Sequence, residues 1–154
     1  MLKKAIEDKI IEYLKDACIN DVSIYPAKDV EKYLGDWDKI TDYPRIVVHV
    51  GVARYTEREM QGINREYRVD ILLQCADGDS DAVAVQMEAI YERIENKLLA
   101  NQRLDNLADN SNKEKVFGSV LDAVKFSDSG HEGFYAASAW LEVAVLTNKV
   151  GPFV

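Results

Sequence analysis

Between Arg45 and Val52 the chain reads Arg-Ile-Val-Val-His-Val-Gly-Val, a nearly continuous β-branched run that suits a central strand covered on at least part of both faces. Ile46, Val48, Val50 and Val52 fall on one side, and Val47, His49 and Gly51 on the other. After a polar stretch that ends in a turn at Gly62, Tyr67, Val69, Ile71 and Leu73 alternate with Arg68, Asp70, Leu72 and Gln74. The two runs predict one long hairpin. A second is expected near the end of the chain, with a strand around Ser119 to Ser127, a turn at Asp128–Gly133 and a strand from Phe134 to about Thr147.

Helical spacing occupies the remaining long segments. Leu2, Ile6, Ile10, Tyr13, Leu14 and Ala17 recur at three- and four-residue steps among charges, until Asn20-Asp21 ends the run. Val83, Met87, Ile90, Tyr91, Ile94 and Leu98 repeat the pattern up to about Ala100, behind N-cap candidates in Asp77–Asp81. Val22 to Tyr25 predicts a short strand, Lys28 to Leu34 a helical turn or two, and Gly35 to Pro44 a surface loop. Residues Asn101 to Lys115 read as a long, mobile connection with one extra turn, and the tail from Gly151 as a segment that docks or frays. The order of elements predicts an α+β class: a mainly antiparallel β-sheet of two long hairpins with two main helices packed on one face, all in a single domain over 1–154.

Composition narrows the function. A formal charge of −8, from 27 acidic against 19 basic residues, repels phosphate backbones and argues against tight nucleic-acid binding. No stretch approaches the ~18 apolar residues of a membrane span, and the N-terminus turns acidic too soon for a secretory leader, so cytoplasmic synthesis is expected. Cys18 and Cys75 are too few and too far apart for a disulfide framework or a zinc site and are expected reduced and buried.

No pattern demands chemistry. Asp77, Asp79, Asp81 and Glu88 echo the spacing of a calcium loop. The sixth position is Ala82 instead of glycine, and helical periodicity has begun by Val83, so capping the second helix is the favoured role of these aspartates. His49 sits in an apolar strand and His131 in a glycine-flanked turn, neither with a local partner that marks a base or ligand. Phosphate-loop and nucleophile-elbow patterns are absent from the sequence. No catalytic, metal or cofactor-binding residue is therefore assigned. The candidate functional feature is the arm of the first hairpin near 54–66, where Arg54, Tyr55, Glu57, Arg58, Glu59 and Arg65 form a mixed-charge strip that fits contact with another subunit.

In layout the whole chain resembles the tail terminator and related tail-completion proteins of long-tailed bacteriophages and prophages. The resemblance is carried by the opening helix ending in Tyr13-Leu14, then Tyr43-Pro44-Arg45-Ile46-Val47-Val48-His49-Val50 and the charged arm. It continues through Tyr67-Arg68-Val69-Asp70-Ile71-Leu72-Leu73-Gln74, the helix Met87–Ile94 and the closing strands. It implies a ring, six copies in the family, that caps the tail tube and joins it to the head. The implied partners are other copies of the chain, tail-tube and head-tail connector proteins, with DNA passing through the ring. The implied location is the host cytoplasm during assembly and then the virion tail. It brings no catalytic residue and no cofactor. A small protein-binding adaptor without catalysis, and an enzyme whose site is assembled from scattered residues, are the alternatives.

Overall fold

A computed structural model describes residues 2–27, 43–59, 62–109, 113–131 and 134–150, with the backbone alone at 52–59, 62–63, 128–131, 134 and 150. The expectations for the helical turn near 28–34, for the loop as far as 42 and for the tail from 151 lie outside these residues. The elements run α1 (Lys3–Cys18), β1 (Ser23–Pro26), β2 (Arg45–Glu59), β3 (Gly62–Asp77), α2 (Ser80–Ala100), β4 (Ala108–Asp109), β5 (Glu114–His131) and β6 (Phe134–Val150), with a 3₁₀ turn at Leu104–Asn106.

The strands form one sheet in the order β1-β2-β3-β6-β5-β4. Among the described strands only the β1–β2 contact is parallel; the other neighbours are antiparallel. This is the expected α+β architecture, with the two hairpins joined side by side through β3 and β6. Their shared ladder runs from Gly62↔Val150 to Asp77↔Tyr135 without a register shift, whereas β2 against β3 and β5 against β6 each carry two. Strands extend further than local periodicity indicates. β2 and β3 pair as far as Glu59↔Gly62, and β5 and β6 as far as His131↔Phe134, because ladder hydrogen bonds hold polar residues in strands that propensity alone leaves as loop.

Period-two alternation places Ile46, Val48 and Val50 of β2, Tyr67, Val69, Ile71 and Leu73 of β3, and Ala139, Leu141, Val143 and Val145 of β6 on one buried face. Against this face lie Ile6, Ile10 and Leu14 of α1 and Val83, Ile90, Ile94 and Leu98 of α2. Each fully buried aliphatic side chain contributes about 1.5–3 kcal/mol to the free energy of folding, so this layer is the main source of stability. The ion pair Lys97–Asp16 joins the two helices, Arg93–Asp21 ties α2 to the bend just after α1, and the ammonium groups of Lys9 and Lys97 each lie 5.8 Å from the centroid of the Tyr13 ring. No described helix is long and apolar enough to cross a membrane.

Part of the segment read as a long connection after α2 packs against the core. Leu104 is buried in the core, and Leu104, Asp105 and Asn106 all take left-handed conformations with φ of 51°, 55° and 57°. Val116 donates its N–H to the Leu107 carbonyl at 2.9 Å, which fastens the turn to the start of β5.

Candidate subunit interface

The residues of the expected contact arm separate once strand register is imposed. Arg54, Tyr55, Glu57, Arg58 and Glu59 lie in β2, where their backbones pair with Glu66, Arg65, Asn64, Ile63 and Gly62; their side chains fall outside the described residues. Arg65 shares the parity of Tyr67 and Val69, so its side chain turns toward the helix-covered face and is only 6% exposed. There its Nη1 donates to the Tyr67 hydroxyl at 3.1 Å and to Oε1 of Glu114 at 3.4 Å. Glu114, with 0% exposure, also accepts from the Tyr67 hydroxyl at 3.0 Å and from Thr147 Oγ1 at 2.8 Å. The Leu2 N–H reaches the same tyrosine oxygen at 3.3 Å, so the cluster fastens the start of α1 to β3, β5 and β6. Burial raises the Tyr67 hydroxyl above its usual range, against the opposing pull of Arg65. Arg65 is thus held inside the subunit. Alternation alone does not reveal this, because a one-residue slip would have turned it outward.

The opposite face of the sheet carries polar cross-strand ties with apolar side chains between them. Asn64 and Asn148 are bonded at 2.7 Å, Arg68 reaches Asp122 at 2.5 Å, and the Trp140 indole donates to Asp70 at 3.2 Å. Among the described residues the exposed large apolar side chains concentrate on the second hairpin: Val120 of β5 and Trp140 of β6 on this face, Phe126 of β5 and Tyr135 of β6 on the helix-covered face, and Phe117 beside the β5 register shift at Val116/Gly118. Phe126, 57% exposed, meets Tyr91 of α2 edge-on at 5.2 Å, and burial pushes the Tyr91 hydroxyl up to about 12.

Among the described residues, part of each sheet edge carries no strand. β1 covers β2 only at Arg45–Val48, and β4 covers β5 only at Glu114 and Lys115. Among the described residues, no strand lies outside β2 from His49 to Glu59 or outside β5 beyond Ser119; up to there β5 is flanked by 102–107, with the Val116 N–H on the Leu107 carbonyl and the Ser119 hydroxyl on the Gln102 carbonyl. Unpaired edge N–H and C=O groups are ready sites for strand addition.

The remaining candidates have structural settings. Asp79 is the N-cap of α2 and accepts from the Asp81 N–H at 2.9 Å, while Asp77 accepts from the Asp79 N–H at 3.0 Å. His49 is exposed on the open face of β2, and His131 closes β5 with its side chain outside the described residues. Cys18 and Cys75 are both buried and unbridged, and burial raises both thiols, Cys75 to about 11.

No family model and no curated protein matches the chain. Its fold is found in a chain of the solved virion of a native gene transfer agent particle, at 7% identity and a TM-score of 0.50, over 92% of this chain and 94% of that one. Another solved chain, 13% identical over 94% of this chain and 92% of its own, superposes at a TM-score of 0.39.

Proposed function

We propose that this protein is a structural component of a phage-type particle, and that it works as a tail terminator: a ring, expected to hold six copies, capping the tail tube and joining it to the head. The observation that carries the reading is the fold, shared over nearly the whole of both chains with a component of a gene transfer agent virion. Among the described residues, β2 beyond Val48 and β5 beyond Ser119 carry no strand on their outer sides, which fits a subunit that needs a neighbour on each side. The negative charge fits a channel along which DNA slides without being held. In this reading the chemistry is protein association, with no covalent step and no cofactor.

The test is protein mass spectrometry of purified tailed particles from a strain carrying the gene, paired with electron microscopy of particles from a deletion strain. The chain is expected at a few copies per particle, and its deletion is expected to leave tails without heads. Its absence from purified particles would overturn the proposal and return the weight to a free adaptor.

A further inference from the structure

We infer that β1 of one copy of this chain adds to the outer edge of β5 in a second copy, antiparallel and over 124–127, so that the sheet continues from subunit to subunit. The inference rests on the ring reading above and adds the surface through which neighbours join.

The two edges of the sheet are stepped, and the steps are complementary. Among the described residues, β1 borders β2 at 45–48, and β4 with the 102–107 turn borders β5 at 114–119. Followed across the sheet, Ser23 is in register with Ser127 through Arg45, Gln74 and Ser138, and Pro26 with Val124 through Val48, Ile71 and Leu141. On the other side Ala108 is in register with Glu57 through Lys115, Asn148 and Asn64. β1 and the 102–109 segment therefore sit at different levels of the sheet. A second copy displaced sideways, without slip along the strands, brings its β1 beside 124–127 of the first and clear of 102–109. The same movement places 102–109 of the first copy in the step outside the neighbour's β2. β1 runs with β2, and β2 and β5 run in opposite directions, so the new pairing is antiparallel and the helices stay on one face.

Main-chain groups at the two edges are in phase. Ser23 gives its N–H to the Pro44 carbonyl, toward β2, so alternation turns the polar groups of Ile24 and Pro26 outward. Val116 gives its N–H to the Leu107 carbonyl, away from β6. Counted in steps of two along the unbroken β6 strand, from its partner Thr147 to Leu141 and Ala139, the same direction falls on Val124 and Phe126. Ile24 then meets Phe126 with a donor and an acceptor on each side, and the Val124 N–H reaches the Pro26 carbonyl. Pro26, which has no N–H to give, falls at the end of the pairing. Side chains agree with the main chain. Ile24 and Phe126 share the level of Ile46, Leu73 and Ala139 on the helix-covered face, so the neighbour's Ile24 covers a ring that is 57% exposed in the single subunit. Each copy gives one edge and receives on the other, the head-to-tail arrangement that closes into rings.

The experiment is disulfide trapping in the full chain, with native mass spectrometry on the same samples from nanomolar to high micromolar concentration. Tyr25 and Lys125 share one level on the face away from the helices, at a position of the junction where no main-chain bonds form and side chains stand closest. Within one chain four strand spacings, roughly 19 Å, separate them, beyond the ~7 Å limit of a disulfide. Oxidation of the Tyr25→Cys, Lys125→Cys double variant is expected to give a ladder of covalent multimers, and an equal mixture of the two single variants is expected to stop at the dimer. Reduction is expected to collapse both. An oligomer that yields no ladder would overturn the inference while leaving the ring intact, and so would either single variant that cross-links to itself as well as the mixture does. A monomer at every concentration would overturn it too. The particle test above then judges the ring reading independently.

Proline variants give a second readout. The N–H groups of Ile24 and Val124 point outward, so Ile24→Pro spares the bonds to β2 and Val124→Pro spares those to β6, and circular dichroism checks that each variant folds. Each folded variant is expected to self-associate at least about tenfold more weakly than the parent chain. Should one of them fail to fold, the other carries the test on its own edge. A folded variant that associates as tightly as the parent would refute the pairing.

Discussion

Glu114 of β5 faces Arg65 of β3 across the intervening strand β6, with Oε2 3.3 Å from the guanidinium Nη1. Neither group meets bulk water to any useful extent, and Tyr67 and Thr147 supply further donors to the carboxylate. An ion pair in this setting gains little over an apolar replacement, yet loss of one partner leaves the other charge stranded.

Glu114→Ala is therefore expected to cost about 3–5 kcal/mol, seen as a fall of roughly 6–20 °C in melting temperature. Replacing both partners, Glu114→Leu with Arg65→Met, is expected to recover most of that loss. A double variant no more stable than the single would refute the account of a stranded guanidinium.

Stability is expected to decline at alkaline pH, with Cys75 as one cause. Its folded pKa, about 11, stands above the ordinary thiol value of 9.0, so the folded state holds its proton more tightly. The contribution is fully present below pH ~9 and is lost as pH rises through the folded pKa, by up to about 3 kcal/mol. Urea midpoints between pH 8 and 11 should fall less steeply for Cys75→Ala than for the parent chain. Equal slopes would exclude the thiol as a source.

Asp79→Ala removes the side-chain acceptor at the start of α2 and is expected to cost about 1 kcal/mol. Asp81→Ala, which leaves the cap in place, should cost only a few tenths. Chemical denaturation of both variants, with and without calcium, checks this. A calcium-dependent rise in the stability of the parent chain that Asp79→Ala abolishes would favour the cation-loop alternative.

Lys113 is exposed just before β5 with φ of 56°, a left-handed conformation that costs a non-glycine residue roughly 1–2 kcal/mol. Lys113→Gly is expected to stabilise the chain by about 0.5–1 kcal/mol after the added entropy of the unfolded glycine is counted. Thermal melts would show a small rise, and a fall would mean that the lysine side chain contributes more than the strain it imposes.

Legibility in the sequence followed the range of the forces involved. Helices α1 and α2, the inward residues Ile6, Ile10, Ile90 and Ile94, and the alternating cores of β2, β3 and β6 were readable, because amphipathic periodicity is local and burial enforces it. The polar ends of the strands were not, since Glu59, Gly62 and His131 remain in the ladder through hydrogen bonds to segments that no local window contains. Arg65 shows the same limit at one residue: its composition fitted a solvated arm, and its parity placed it in the core beside Glu114.

The sequence by itself determined the class of fold, the two helices, the two hairpins and which face of each central strand is apolar, since these follow from the spacing of apolar side chains along the chain. Only the tertiary structure decided that β3 joins β6, that β2 and β5 lie toward opposite sides of the sheet, and that Arg65 meets Glu114. Strand order and register depend on which distant segments pair. That choice is made by the packing energy of the whole sheet, of which any local stretch of sequence carries only a part.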